Sequence, residues 1–182
     1  MLKNIIVFID GENISHRHFP TIMSYLNGIA NFVDFRIYGD WSRPFLNGWK
    51  KIALEEGIKV VHQFNTRKNA ADFEMVMDAI ELLHKQHNID SFCIVSSDAD
   101  FANLCLRLRE NGKIVVGLGE SKALASYRNC CNSFFVLDGS KECSTEQDNK
   151  YDEQKSRNNL VVLRRGPQDN LINNSIRTLS VS

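Results

Sequence analysis

Five aspartates in this 182-residue chain stand just past short apolar runs or at the start of a helical pattern. Asp10 follows Ile5-Ile6-Val7-Phe8-Ile9 in "FIDGENI", Asp40 closes the next run in "IYGDW", and Asp98 and Asp100 lie in "VSSDADF". Asp72 opens the helical pattern of "RKNAADFEMVMDAI". Taken singly, each has a plain reading: a turn cap for Asp10, an N-cap for Asp98, a first-turn acid for Asp72. Taken together they pose an electrostatic problem, because like charges gathered on one rim repel and need a neutraliser. A hard divalent cation is the simplest one, since Mg²⁺ and Mn²⁺ take carboxylate and water oxygens. Asp10, Asp40, Asp72, Asp98 and Asp100 are therefore candidate metal ligands, provided the fold brings their segments together.

The elements around them are arranged to do so. β-Branched and aromatic runs predict strands over Asn4–Ile9, Asp34–Tyr38, Lys59–Gln63, Ser91–Val95, Lys113–Leu118 and Ser133–Leu137. Between them lie helical patterns. Phe19, Ile22, Met23, Leu26 and Ile29 mark the first, and Trp49, Ile52 and Ala53 the second, which Glu56-Gly57 ends. The third spans Ala71 to Lys85 with Phe73, Val76, Met77, Ile80 and Leu83 as its expected buried side. A fourth carries Phe101, Leu104, Cys105 and Leu108 and stops at Asn111-Gly112; a short fifth runs from Leu124 to Cys131. Strand–helix alternation predicts an α/β domain over residues 1–138, a mostly parallel, doubly wound sheet with helices on both faces. In such a sheet the ligand crevice lies outside the carboxyl ends of the strands, where all five acids fall. Asp78 does not share a helical face with Asp72; it either supports the site from further out or is plain surface.

Composition narrows the class. With 43% hydrophobic residues the chain can build a full core, and its 22 basic and 22 acidic residues leave no net charge. Five cysteines without a CxxC pair argue against a zinc site or a disulfide framework, and Cys93 and Cys105 fall on core positions. No run reaches membrane-spanning length and no signal sequence opens the chain, so a cytoplasmic location away from membranes is expected. Residues 139–182 are predicted to form a polar linker and tail: Gly139 to Asn159 is nearly devoid of apolar residues, while Leu160–Leu163 and Leu171–Leu179 carry weak strand and helix patterns.

Three ordered motifs go further. "FIDGENI", the set Lys68, Asp72 and Asp78, and "SSDADF" resemble, in this order, the NYN domain, in particular the LabA-like branch of the PIN-like nuclease superfamily; the similarity extends through "VVGLGESKALASYRNCCNSFFVLD". The resemblance implies a Rossmann-like PIN fold and a metal-dependent ribonuclease site. By position, it makes Asp10, Asp72 and Asp98 the central acids, Asp40 and Asp100 additional ones, and Asn13 the residue that orients the first. Ser97 departs from the family's usual Gly in "SGDxDF", placing a side chain on the approach of substrate.

The chemistry agrees with this assignment. Hydrolysis of a phosphodiester needs an activated water and stabilised charge on the leaving oxygen, and one or two Mg²⁺ or Mn²⁺ ions supply both. No two of His16, His18, His62, His84 and His87 form an evident catalytic pair. With the acids engaged by metal, the rest of the domain is mildly basic, which suits a phosphate backbone. Arg43 and Lys68 fall in rim loops with Arg17 and Arg67, and Ser121 and Lys122 are expected to open the fifth helix as a phosphate site. Trp41 is a candidate for stacking a base or for anchoring its loop. The expected activity is endonucleolytic cleavage of single-stranded or loop RNA; the alternative is a non-catalytic RNA-binding or regulatory module. RNA is the expected partner, and a homodimer is compatible with the sequence. "GLGES" is not a dinucleotide fingerprint, since it ends strand five and lacks the third Gly, and "DGENI" lacks the pattern of a dehalogenase-type phosphatase.

Overall fold

The computed structural model describes residues 2–62 and 70–139. Six strands, β1 (Leu2–Asp10), β2 (Ala30–Gly39), β3 (Lys59–His62), β4 (Ser91–Val95), β5 (Ile114–Gly119) and β6 (Ser133–Val136), form one sheet in the order β3-β2-β1-β4-β5-β6. Every pairing in it is parallel. The crossovers carry α1 (Phe19–Ile29), α2 (Asn47–Glu56), α3 (Ala70–Lys85), α4 (Ala102–Glu110) and α5 (Ala125–Arg128). The α/β architecture read from strand–helix alternation is what the chain adopts.

Both faces of the sheet are covered, which is why its central strands read as unbroken apolar runs. Period-two alternation divides β1 between two cores. Ile5, Val7 and Ile9 pack with Ile22, Leu26 and Trp49 of α1 and α2, whereas Ile6 and Phe8 pack with Met75, Ala79 and Leu104 of α3 and α4. On the second face Tyr38, Phe8 and Phe92 stack across three adjacent strands, with ring centroids 5.8 and 6.0 Å apart. The same alternation carries Asp10 onto the α3 side of the sheet, and places Ser96, two residues past Ile94, beside it.

Two helix ends follow their sequence signals. α2 stops at Gly57, whose φ of 66° is left-handed, and the chain past α4 turns at Gly112 with φ 76°. α3 departs from expectation. Its buried side is Ala71, Met75, Ala79, Leu82 and Leu83, while Phe73 and Met77 stand 69% and 66% exposed. The two alanines let α3 approach the sheet closely, a choice of phase that the bulkier apolar residues conceal. Gln63, expected to end β3, and the patterns expected at Leu160–Leu163 and Leu171–Leu179 lie outside the described residues.

The sheet winds outward in two directions from its centre: β1 to β3 on one side, β4 to β6 on the other. The reversal falls between neighbouring β1 and β4, where Ile9 pairs with Val95. The connections that leave their carboxyl ends run to opposite faces of the sheet, α1 to one and α4 to the other, and that is where a ligand belongs in an open parallel sheet.

Candidate functional site

Asp10 is the last residue of β1 and is buried, 4% exposed. A buried carboxylate needs donors, and the loop after it supplies them. Asp10 Oδ1 accepts the backbone N–H groups of Glu12 (3.2 Å) and Asn13 (3.1 Å), and Oδ2 accepts the Ser96 hydroxyl at 2.9 Å. Burial nevertheless pushes its pKa from 3.8 to about 7, with the charge of Asp72 adding to the rise and the donors opposing it.

The β4 loop is tied to the same point. Ser96 Oγ accepts the N–H of Asp98 at 3.1 Å, so one hydroxyl connects the carboxylate of Asp10 to the backbone of Asp98. Asn13 Oδ1 accepts the N–H of Ser97 at 3.0 Å, and Ser97 Oγ accepts the N–H of Glu120 at 2.9 Å. These bonds cross three loops at the β1–β4–β5 rim. They also hold the Ser97 hydroxyl against Glu120, so in this structure Ser97 is a brace between loops.

Asp72 enters from the first turn of α3 and is half-buried. Desolvation raises its pKa, and the charges of Asp98, Glu12 and Asp100 raise it further. Asp98 caps the short 3-10 turn at Ala99–Phe101, with Oδ1 accepting the N–H of Asp100 at 2.9 Å. The fold thus gathers Asp10, Asp72, Asp98 and Asp100 within electrostatic reach of one another. It adds Glu12, which the sequence reading did not assign although it stands in "FIDGENI". Ser96 was missed as well; its signal was its place two residues ahead of Asp98, on the face that Asp10 occupies.

Asp40 has a different task. Its Oδ1 accepts the Ser42 N–H (3.1 Å) and hydroxyl (2.5 Å), and its Oδ2 accepts Arg43 Nε at 3.3 Å. The Ser42 hydroxyl first, and Arg43 after it, hold this carboxyl below its usual range. Asp40 therefore caps its own turn, and its N–H donates to Glu12 Oε1 at 2.9 Å, joining the β2 loop to the β1 loop. Asp78 likewise does not reach the acids. It accepts Arg36 Nη1 and the Tyr38 hydroxyl, both at 2.7 Å, clamping α3 to β2.

The phosphate site expected at Ser121 and Lys122 needs correction. α5 begins only at Ala125, and the donors of Ser121, N–H and hydroxyl, both go to Asp138 at 2.7 Å. A carboxylate already sits where a phosphate would bind, and Lys122 Nζ pairs with Glu120 at 2.8 Å. Arg43 is exposed on the rim, and Trp41 anchors its loop through an Nε1–H bond to Val61 O at 2.8 Å. Lys68 lies outside the described residues.

The donor chemistry fits a hard cation: the assembled groups are carboxylates, and their charges add to the rise at Asp72 and, through Asp72, at Asp10. Among the described residues, no three or more His, Cys, Asp or Glu side chains are arranged to hold a metal ion. Mg²⁺ commonly takes only one or two protein carboxylates and completes its shell with water and substrate phosphate, so a partial protein shell suits it. Among the described residues, no helix is long and apolar enough to cross a membrane.

Known proteins share this frame. "Uncharacterized protein MJ0482" of Methanocaldococcus jannaschii is 30% identical over 118 residues, covering 63% of this chain and 47% of that protein. The chain thus spans about half of that relative's length. The solved structure of VPA0982, a protein of unknown function from Vibrio parahaemolyticus RIMD 2210633, matches with a TM-score of 0.60 at 19% identity, over 75% of this chain and 93% of that one. At that identity the likeness is one of fold. The model of the NYN domain matches residues 4–138, a span that holds every acid described above, and the chain belongs to the NYN domain family.

Proposed function

We propose that the chain is a metal-dependent endoribonuclease of the LabA-like, PIN-like branch, hydrolysing phosphodiester bonds in single-stranded or loop RNA. One observation carries the reading: Asp10, Asp72 and Asp98, from three separate segments, share a rim on which burial and mutual repulsion raise the pKa of the first two. Structural carboxylates are normally paired with cations or donors that hold their pKa down, as Asp40 and Asp138 are. Acids left in mutual repulsion in a crevice are suited to a ligand that brings positive charge.

In this reading Asp10, Asp72 and Asp98 would offer carboxylate oxygens to Mg²⁺ or Mn²⁺, with Asp100 and Glu12 adding negative charge beside them. A divalent ion so bound would lower the pKa of a water and stabilise charge on phosphate oxygens. The chain's own part is positioning. Ser96 and the N–H groups of Glu12 and Asn13 fix the direction of Asp10, and Asn13 and Ser97 lock the β1 loop to the β4 loop. Arg43, exposed at the rim, is placed to meet the phosphate backbone.

The second reading is a non-catalytic RNA-binding module that keeps the same fold and acidic rim. Incubation of labelled single-stranded RNA with Mg²⁺, Mn²⁺ or EDTA separates the two. Cleavage should require the metal and vanish in Asp98→Asn. Cleavage that survives EDTA or this substitution would refute the mechanism, and tight binding without cleavage under either metal would select the second reading.

A further inference from the structure

The turn after β2 exposes an aromatic ring at the site's edge. Pro44–Leu46 forms a single 3-10 turn in which Leu46 is buried and Phe45 is 53% exposed. Leu46 lies directly on the backbone that flanks two of the acids. A Cβ added at Gly39 would come 2.8 Å from Leu46 Cδ1, and one at Gly11 would come 3.3 Å from Leu46 Cδ2. The neighbouring Phe45 stands on the same turn, five residues past Asp40. Backbone bonds from Arg43 N–H to Asp40 O (3.0 Å) and from Leu46 N–H to Arg43 O (3.2 Å) stiffen the loop. The Arg43 guanidinium lies over the Phe45 ring, 5.9 Å from its centroid, while its Nε bonds Asp40.

The ring is left outside the core that Leu46 joins. Its surroundings point to one kind of occupant. Its chain neighbours Ser42, Arg43 and Asn47 are exposed and polar or cationic. A flat apolar face beside a guanidinium matches a nucleobase joined to a phosphate. Phe73, also exposed and one residue past Asp72, makes the contrast: it shares its face of α3 with Met77, and no cation among the described residues lies over its ring.

We propose that Phe45 is a stacking platform for one unpaired base of the RNA, with Arg43 stiffening the ring and facing the adjoining phosphate. This deepens the reading above and rests on it. It also names a reason for preferring single strands, because a base inside a duplex has no free face to offer.

The test is binding of a fluorescein-labelled oligouridylate to the full chain, read by polarisation with Mg²⁺, all variants carrying Asp98→Asn so that cleavage does not intrude. Phe45→Ala should weaken single-strand binding about tenfold, the typical contribution of one stacked base. Phe45→Trp should retain affinity and add tryptophan emission that RNA quenches. A duplex of equal length should bind alike with or without Phe45. Binding by Phe45→Ala within about twofold of its parent, or an equal loss in Phe73→Ala, overturns the proposal while leaving the nuclease reading intact. Failure of the parent to bind RNA at all overturns both.

Discussion

Asp10→Asn should stabilise the metal-free protein at neutral pH and cancel a pH dependence that the native protein shows. In the folded chain burial raises this carboxyl to about 7 from 3.8. Between those values the native state holds a proton that the unfolded state has released. Stability from this group is therefore full below about pH 4 and is lost as pH rises through about 7. The difference in pKa corresponds to about 4 kcal/mol once Asp10 is ionised. Asparagine removes the charge but weakens the bonds from Glu12, Asn13 and Ser96, at a cost of about 1 kcal/mol or more. A net gain of about 2–3 kcal/mol at pH 8 remains. The assay is thermal unfolding in EDTA at pH 5 and pH 8, repeated with Mn²⁺. Native protein should melt lower at pH 8 and regain stability with Mn²⁺; Asp10→Asn should be flatter with pH and respond little to the metal. A variant that melts below native protein at pH 8 in EDTA would refute the reasoning and make Asp10 a structural cap.

The same proton should compete with the cation: Mn²⁺ affinity by calorimetry should rise about tenfold from pH 6 to pH 8, and a flat profile would exclude Asp10 as a ligand. Asp78→Asn should cost about 2 kcal/mol in urea unfolding, because it weakens a partly buried pair and leaves Arg36 and Tyr38 short of their acceptor; a loss under about 0.5 kcal/mol would dismiss the clamp. Gly119→Ala should destabilise by about 2 kcal/mol or more, since its Cβ would meet Ser96 O at 2.5 Å. Gly28→Ala in α1 meets nothing within 4 Å and should stabilise by about 0.5–1 kcal/mol, measured in the same series.

Much of this molecule is determined locally and is therefore legible in the chain. Apolar runs and helical spacing define the strands and helices, because burying both faces of a parallel sheet leaves no freedom in residue type. The acids at strand ends follow from the same logic, since every parallel strand delivers its carboxyl end to one rim. What the sequence could not decide depends on direction and on long-range partners. Asp40 and Asp98 look equivalent in a string of letters, yet Ser42 and Arg43 close around Asp40, while Asp98 stays among the charges of Asp72 and its neighbours. Ser121 offers donors to a phosphate until the end of β6 brings Asp138 onto them. Ser96 becomes the link between two acids only because β1 and β4 are adjacent, 86 residues apart in the chain. Period and composition determined which groups reach the rim; pairing across the sheet decided which of them face each other.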